Sequence, residues 1–157
     1  MRVAVNRLLA LVFFFALTSC DSTKTAVPEI VDATFAPALN VDISTMTKTA
    51  SGLYYRDSIV GTGTTASSRD SVRVNYIGWL TSGVQFDNSF SRGSPIAFSL
   101  GRGFVIAGWD EGIVNMRAGG WRKLVIPPQL GYGDQGVGTI PPNSILVFNV
   151  QLVSVIK

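Results

Sequence analysis

Ser71-Val72-Arg73-Val74-Asn75-Tyr76-Ile77-Gly78-Trp79-Leu80 alternates along its whole length, with Val72, Val74, Tyr76, Gly78 and Leu80 on one face. A period of two, carried by β-branched and aromatic residues, predicts a strand with one buried side. Thr81-Ser82-Gly83 follows as a hairpin turn. Upstream, Leu53 to Val60 reads as a strand ended by Gly61-Thr62-Gly63. Downstream, Pro95 to Leu100 is another short strand, and Trp121 to Ile126 and Ile145 to Ile156 are the closing strands.

Between these strands, Ala107 to Met116 predicts the single helix of the domain. Ile106, Trp109, Ile113 and Met116 recur at three- and four-residue steps and form one apolar stripe. Asp110 and Glu111 fall in its first turn and Arg117 at its end, each suited to the helix dipole, and Gly119-Gly120 stops it. Many antiparallel strands around one short helix define an α+β layer arrangement.

The totals narrow the chemistry. A length of 157 residues fits one core, and hydrophobic and charged fractions of 46% and 15% are those of a globular chain. The chain has no His and a single Cys, which excludes Ser-His triads, Cys-His dyads and most zinc sites. No metal and no cofactor are expected. Without Arg2 and Arg7 of the leader, 11 basic side chains face 10 acidic ones, about +1, with no Lys/Arg cluster for nucleic acid.

Residues 1–19 read as an export signal. Two arginines precede Leu8 to Leu17 (LLALVFFFAL), an apolar run too short for a spanning helix of roughly 20 residues. The following Leu17-Thr18-Ser19-Cys20 resembles the bacterial lipobox. That resemblance implies that Cys20 becomes the mature N-terminus and is lipidated, with the folded domain on the extracytoplasmic side of a membrane in the bacterial cell envelope. Two or more acyl chains hold a protein stably where one does not. The other reading is an ordinary secretory signal cleaved beside a Cys, which leaves an unpaired thiol to explain.

Residues 20–51 are rich in Ser, Thr, Ala and Pro and show no sustained period, so a flexible linker with a root-mean-square span of roughly 30 Å is expected. The alternative is that the apolar patch at Val41 to Ile43 packs on the domain as an extra strand. Residues 52–157 form the folded domain, and a monomer is expected.

Six stretches of that domain, taken together, resemble the FKBP family of peptidyl-prolyl cis-trans isomerases. They are Val74 to Leu80; Gly83-Val84-Gln85-Phe86-Asp87-Asn88-Ser89; Val105-Ile106-Ala107-Gly108-Trp109-Asp110-Glu111-Gly112; Lys123 to Pro128; Leu130-Gly131-Tyr132-Gly133; and Ile140 to Phe148. The resemblance implies a curved antiparallel sheet of about five strands wrapped around one short α-helix. It also implies an isomerase acting on proline-containing segments of exported proteins and binding macrolides of the family's inhibitor class.

Carried over by resemblance, Trp109 is the floor of a proline pocket. Tyr76, Phe86 and Phe148 are its walls, and Val105 and Ile106 its rim. The Tyr132 hydroxyl and the Ile106 N–H are donors, Asp87 an acceptor at the edge, and Ile140 a cover. Taken singly, these residues have plainer readings: an aromatic on a strand is usually core, and Asp87 can be satisfied by Tyr76 or an Arg. Ile96 stands where many relatives carry an aromatic, and the loop from Gly133 to Ile140 is one residue short, with Thr139 in an aliphatic position. Turnover, a non-catalytic module gripping proline segments, and a structural lipoprotein with a decayed pocket are the competing functions. The intact aromatic set favours turnover.

Overall fold

The computed structural model describes residues 27–157. The export signal expected over 1–19, the lipidation expected at Cys20 and residues 21–26 of the expected linker lie outside the described residues.

Among the described residues, seven antiparallel strands form one sheet. They are β1 (Thr47–Lys48), β2 (Tyr54–Ile59), β3 (Ser71–Leu80), β4 (Gln85–Asn88), β5 (Ile96–Ser99), β6 (Trp121–Ile126) and β7 (Leu146–Ile156). The order is β1-β2-β6-β7-β3-β4, and β5 pairs with the same central β3. Because β4 and β5 pair with different stretches of β3, Ile77–Trp79 and Ser71–Val74, the sheet is five strands wide plus the two-residue β1. One helix, α1 (Ala107–Gly112), lies on it.

The alternation of β3 appears directly in burial: Val72, Val74 and Tyr76 are buried on the helix side while Ser71 and Arg73 are exposed. Its partner β7 brings Phe148 opposite Gly78 and Leu152 opposite Val74. Gly78 is a requirement of packing. A Cβ there would lie 2.6 Å from the Phe148 ring and 2.7 Å from the Phe86 ring. The missing side chain is the space those rings occupy. On this face Trp109, Ile113 and Met116 join Leu124, Ile126 and Leu146 in the main core.

The helix is shorter than the apolar stripe predicts. It ends at Gly112, although Ile113 and Met116 are still buried. Tertiary hydrogen bonds intervene: the Arg122 guanidinium donates to the carbonyls of Gly112 (2.8 Å) and Val114 (3.2 Å). Asn115 then takes a left-handed conformation (φ 67°), and its N–H donates to Ala66 O at 2.9 Å. Arg117 consequently sits in a loop, bonded to Gly63 O, instead of closing a helix.

Of the linker expected over 20–51, the described part reads differently in the structure. Residues 27–48 form a strap across the outer face of the sheet, built from 3-10 turns at Ile30–Asp32, Pro37–Leu39 and Ile43–Thr45 followed by β1. Ile30, Leu39 and Met46 are buried against Tyr54, Val125, Ile145 and Val147 in a second core. The Val41–Ile43 patch packs there as well, in a turn and not as a strand. Polar fastenings reinforce the seat: Ala36 N–H donates to Thr81 O at 2.8 Å, and the buried Lys123 ammonium donates to the Leu39 carbonyl. At the start of β6, Trp121 stacks with Phe90 at 6.1 Å between ring centroids.

Candidate functional site

The site is built around the start of α1. Gly108 lets the helix lie close on β6, since a Cβ would meet the Ile126 side chain at 2.5 Å. The Asp110 carboxylate accepts the N–H groups of Gly101 and Gly103, both at 2.8 Å, and so holds the approaching loop. Ile106 occupies the N-cap position, which leaves its N–H outside the helix's own ladder.

Trp109 is 4% exposed and lies edge-to-face with Tyr76 (centroids 4.7 Å, 82°) and with Phe148 (5.3 Å, 80°). Phe86 meets Phe148 in the same manner at 5.5 Å. Edge-to-face pairing satisfies ring quadrupoles and leaves a shaped, apolar hollow between the rings. That hollow has a volume of about 180 Å³.

Nine of the ten pocket residues expected from the sequence line it: Tyr76, Phe86, Asp87, Ile96, Val105, Ile106, Trp109, Tyr132 and Phe148. Ile140 is the exception. It is buried (7% exposed) in the main core, and its backbone closes a tight bridge with Val137 through hydrogen bonds of 2.8 and 3.0 Å. The 133–140 loop folds onto itself through that bridge, with Ile140 packed in the core. Two residues beyond Ile96 along β5, Phe98 packs against Trp109 at 6.0 Å between ring centroids.

The polar edge is a three-residue network. The Tyr76 hydroxyl donates to Asp87, and Arg92 donates to Asp87 and, at 2.6 Å, to the Tyr76 oxygen. Asp87 therefore has both of the structural partners considered for it, and it lines the pocket as well. Burial raises the Asp87 pKa, but hydrogen bonds from Tyr76, Arg92 and the Asn88 N–H outweigh burial and hold it below the usual carboxylate value. Burial, reinforced by the Asp87 charge, pushes Tyr76 up to about 12. Desolvation and Asp87 likewise raise Tyr132, so both phenols stay protonated donors at neutral pH.

Arg92 and Phe104 were not legible as site residues. Arg92 comes five residues after Asp87 on a short 3-10 turn, Phe90–Arg92, and only the fold returns it to the carboxylate. Phe104 stands at the pocket mouth, 74% exposed. Its one signal is an aromatic directly following the glycine-rich Gly101-Arg102-Gly103.

A larger hollow, about 350 Å³, opens beside Tyr55, Glu111, Asn115 and Arg122. Its strongest donor is already committed: Arg122 pairs bidentately with Asp57 at 2.7 and 2.9 Å and caps the helix carbonyls. The smaller aromatic pocket is the better site, because there Phe86, Trp109 and Phe148 line the hollow beside the protonated Tyr132 hydroxyl.

The sequence model of the family described as FKBP-type peptidyl-prolyl cis-trans isomerase matches residues 62–153. The chain is 51% identical over 109 residues to the FKBP-type peptidyl-prolyl cis-trans isomerase FkpA of Escherichia coli (strain K12), covering 69% of this chain and 40% of that protein. It is 54% identical over 91 residues to FK506-binding protein 2 of Yarrowia lipolytica (strain CLIB 122 / E 150), covering 57% of this chain and 63% of that protein. The crystal structure of FkpA from Escherichia coli matches with a TM-score of 0.67 and 47% identity, over 71% of this chain and 52% of that one. The chain thus spans less than two thirds of the length of each of these relatives.

Proposed function

Since the chain belongs to the FKBP-type peptidyl-prolyl cis-trans isomerase family, we propose that its aromatic pocket accelerates rotation about X-Pro bonds in exported polypeptides. The observation that carries the proposal is the convergence of nine family-like pocket residues on one hollow floored by Trp109.

Uncatalysed rotation must break amide resonance, across a barrier of ~18–20 kcal/mol. The twisted amide is less charge-separated than the planar one, so an apolar enclosure favours it over the ground state. The Tyr132 hydroxyl and the Ile106 N–H supply donors to the substrate carbonyls. An acceleration of about five decades needs roughly 7 kcal/mol. Rotation breaks no σ bond, and the proposed reaction needs neither a nucleophile nor a cofactor.

A protease-coupled isomerisation assay on residues 21–157, with and without a macrolide of the FKBP-inhibitor class, tests the reading. Activity suppressed by the macrolide supports it. A well-folded protein without activity overturns it in favour of a proline-segment binder.

Asp87 makes the pocket acid-sensitive. Its folded pKa is lowered, so the stabilisation it contributes is complete above the unfolded Asp value and is lost as pH falls through the folded one. Turnover followed by NMR exchange is expected to stay level from about pH 8 to pH 5 and to decline only once the pH falls below the ordinary Asp range. A Gly78→Ala variant, whose methyl group overlaps the Phe86 and Phe148 rings, is expected to lose about tenfold in kcat/KM and ~1–3 kcal/mol of stability, read by the same assay and by thermal melting.

Cys20 carries the membrane anchor in this proposal, supported by the Leu17-Thr18-Ser19-Cys20 pattern behind a short apolar run. Mass spectrometry of the protein from membranes should find a tri- or diacylated Cys20, and Cys20→Ser should release the domain. An unmodified Cys20 overturns the anchor and leaves the pocket proposal intact.

A further inference from the structure

Beyond the aromatic pocket, the open side of β5 borders a groove of about 480 Å³ lined by Ile96, Ala97, Phe98, Ser99, Phe104 and Val105. The groove and the pocket share Ile96, Phe104 and Val105, so the two are continuous. Among the described residues β3 is the only partner strand of β5, so its edge along the groove has no strand paired to it there.

Backbone direction can be assigned from the register. Leu100 N–H donates to Asp70 O at 2.9 Å, and β5 continues as Phe98 opposite Val72 and Ile96 opposite Val74. Antiparallel pairs alternate in hydrogen bonding. Ile96 and Phe98 therefore turn their N–H and C=O groups toward β3, while Ala97 and Ser99 turn theirs outward into the groove. An edge strand with outward donors and acceptors is a template for another strand. Opposite that edge stands Phe104, a large apolar side chain 74% exposed at the common lip.

We infer that this groove is an accessory polypeptide-binding site in which the chain flanking the substrate proline adds to β5 as an extra strand. Ala97 and Ser99 supply main-chain hydrogen bonds, and Phe104 covers an apolar side chain of the bound segment. Main-chain pairing gives affinity with little sequence demand, and the covered side chain adds a preference for apolar flanks. The occupant is the substrate polypeptide itself, because the groove runs directly into the proposed prolyl pocket. The inference thus extends the isomerase reading from a dipeptide pocket to an extended unfolded segment.

The test compares a short Leu-Pro peptide with a longer one whose flanks alternate apolar and polar residues. The same longer peptide with alternate backbone amides N-methylated serves as a second probe. Binding is followed by fluorescence anisotropy and turnover by the coupled assay. For the wild-type protein the longer peptide is expected to bind roughly tenfold more tightly than the short one, and N-methylation to remove that gain. Ala97→Pro deletes one outward donor and leaves the β3-facing bonds in place. It is expected to abolish the length advantage with short-peptide turnover unchanged.

Equal affinity for long and short peptides, or indifference to both N-methylation and Ala97→Pro, overturns the groove. So does concentration-dependent dimerisation lost in Ala97→Pro, which would assign the edge to a second copy of this chain. If no peptide is turned over but the longer one still binds in an N-methylation-sensitive way, the groove stands and the isomerase reading falls.

Discussion

Replacing Trp109 with Ala is expected to lower kcat/KM for an X-Pro peptide by about a hundredfold or more. The indole is the largest single piece of the pocket, in ring contact with Tyr76, Phe148 and Phe98. A hundredfold corresponds to ~2.7 kcal/mol of lost transition-state preference, a reasonable share of the roughly 7 kcal/mol required. The substitution also opens a cavity in the core, at a cost of ~3–5 kcal/mol. Melting by circular dichroism must therefore accompany the assay, and Trp109→Phe, which keeps a ring in place, should retain more of both stability and activity. Destabilisation with undiminished turnover per folded molecule would mean that catalysis does not pass through this pocket.

Removing residues 1–46 should have the largest effect on stability. Ile30, Leu39 and Met46 leave the second core together, at ~2 kcal/mol each, about 6 kcal/mol in all. A domain of this size has only ~5–15 kcal/mol to lose. The cut also bares Tyr54, Val125 and Val147 and strips Lys123 of its Leu39 acceptor. The urea midpoint is expected to fall sharply, with aggregation through the bared face, while the aromatic pocket on the opposite side keeps its arrangement in whatever fraction stays folded. An unchanged midpoint would return these residues to the status of a free linker.

That contrast shows which information was local. Strand β3 was legible to the residue because its alternation lies within the segment itself, and β6 because Gly119-Gly120 before it and Pro127-Pro128 after it mark its ends. The strap was not: its buried residues come nine and seven positions apart across three 3-10 turns, a spacing with no period to detect. The end of α1 was hidden for a related reason. The apolar stripe continues to Met116, but Arg122 from the following strand and Ala66, remote in sequence, claim the backbone groups a longer helix would use. At the site, the aromatic residues were recognisable by motif. The partnership of Arg92 with Asp87 and the inward turn of Ile140 depend on how loops close, which only three dimensions display.

Fastening the strap to the sheet also shortens a leash. With Cys20 acylated as proposed, seven peptide steps separate the lipid from Val27, at most about 25 Å fully drawn out. That is less than the width of a domain of some hundred residues, whose radius of gyration alone is ~13 Å. The catalyst would then patrol a shallow layer hugging the bilayer and meet polypeptides as they emerge or linger there. Its supply of clients would be counted per unit of membrane area and not per unit of volume. A Gly/Ser insert before Val27 would deepen that layer without touching a single residue of the pocket.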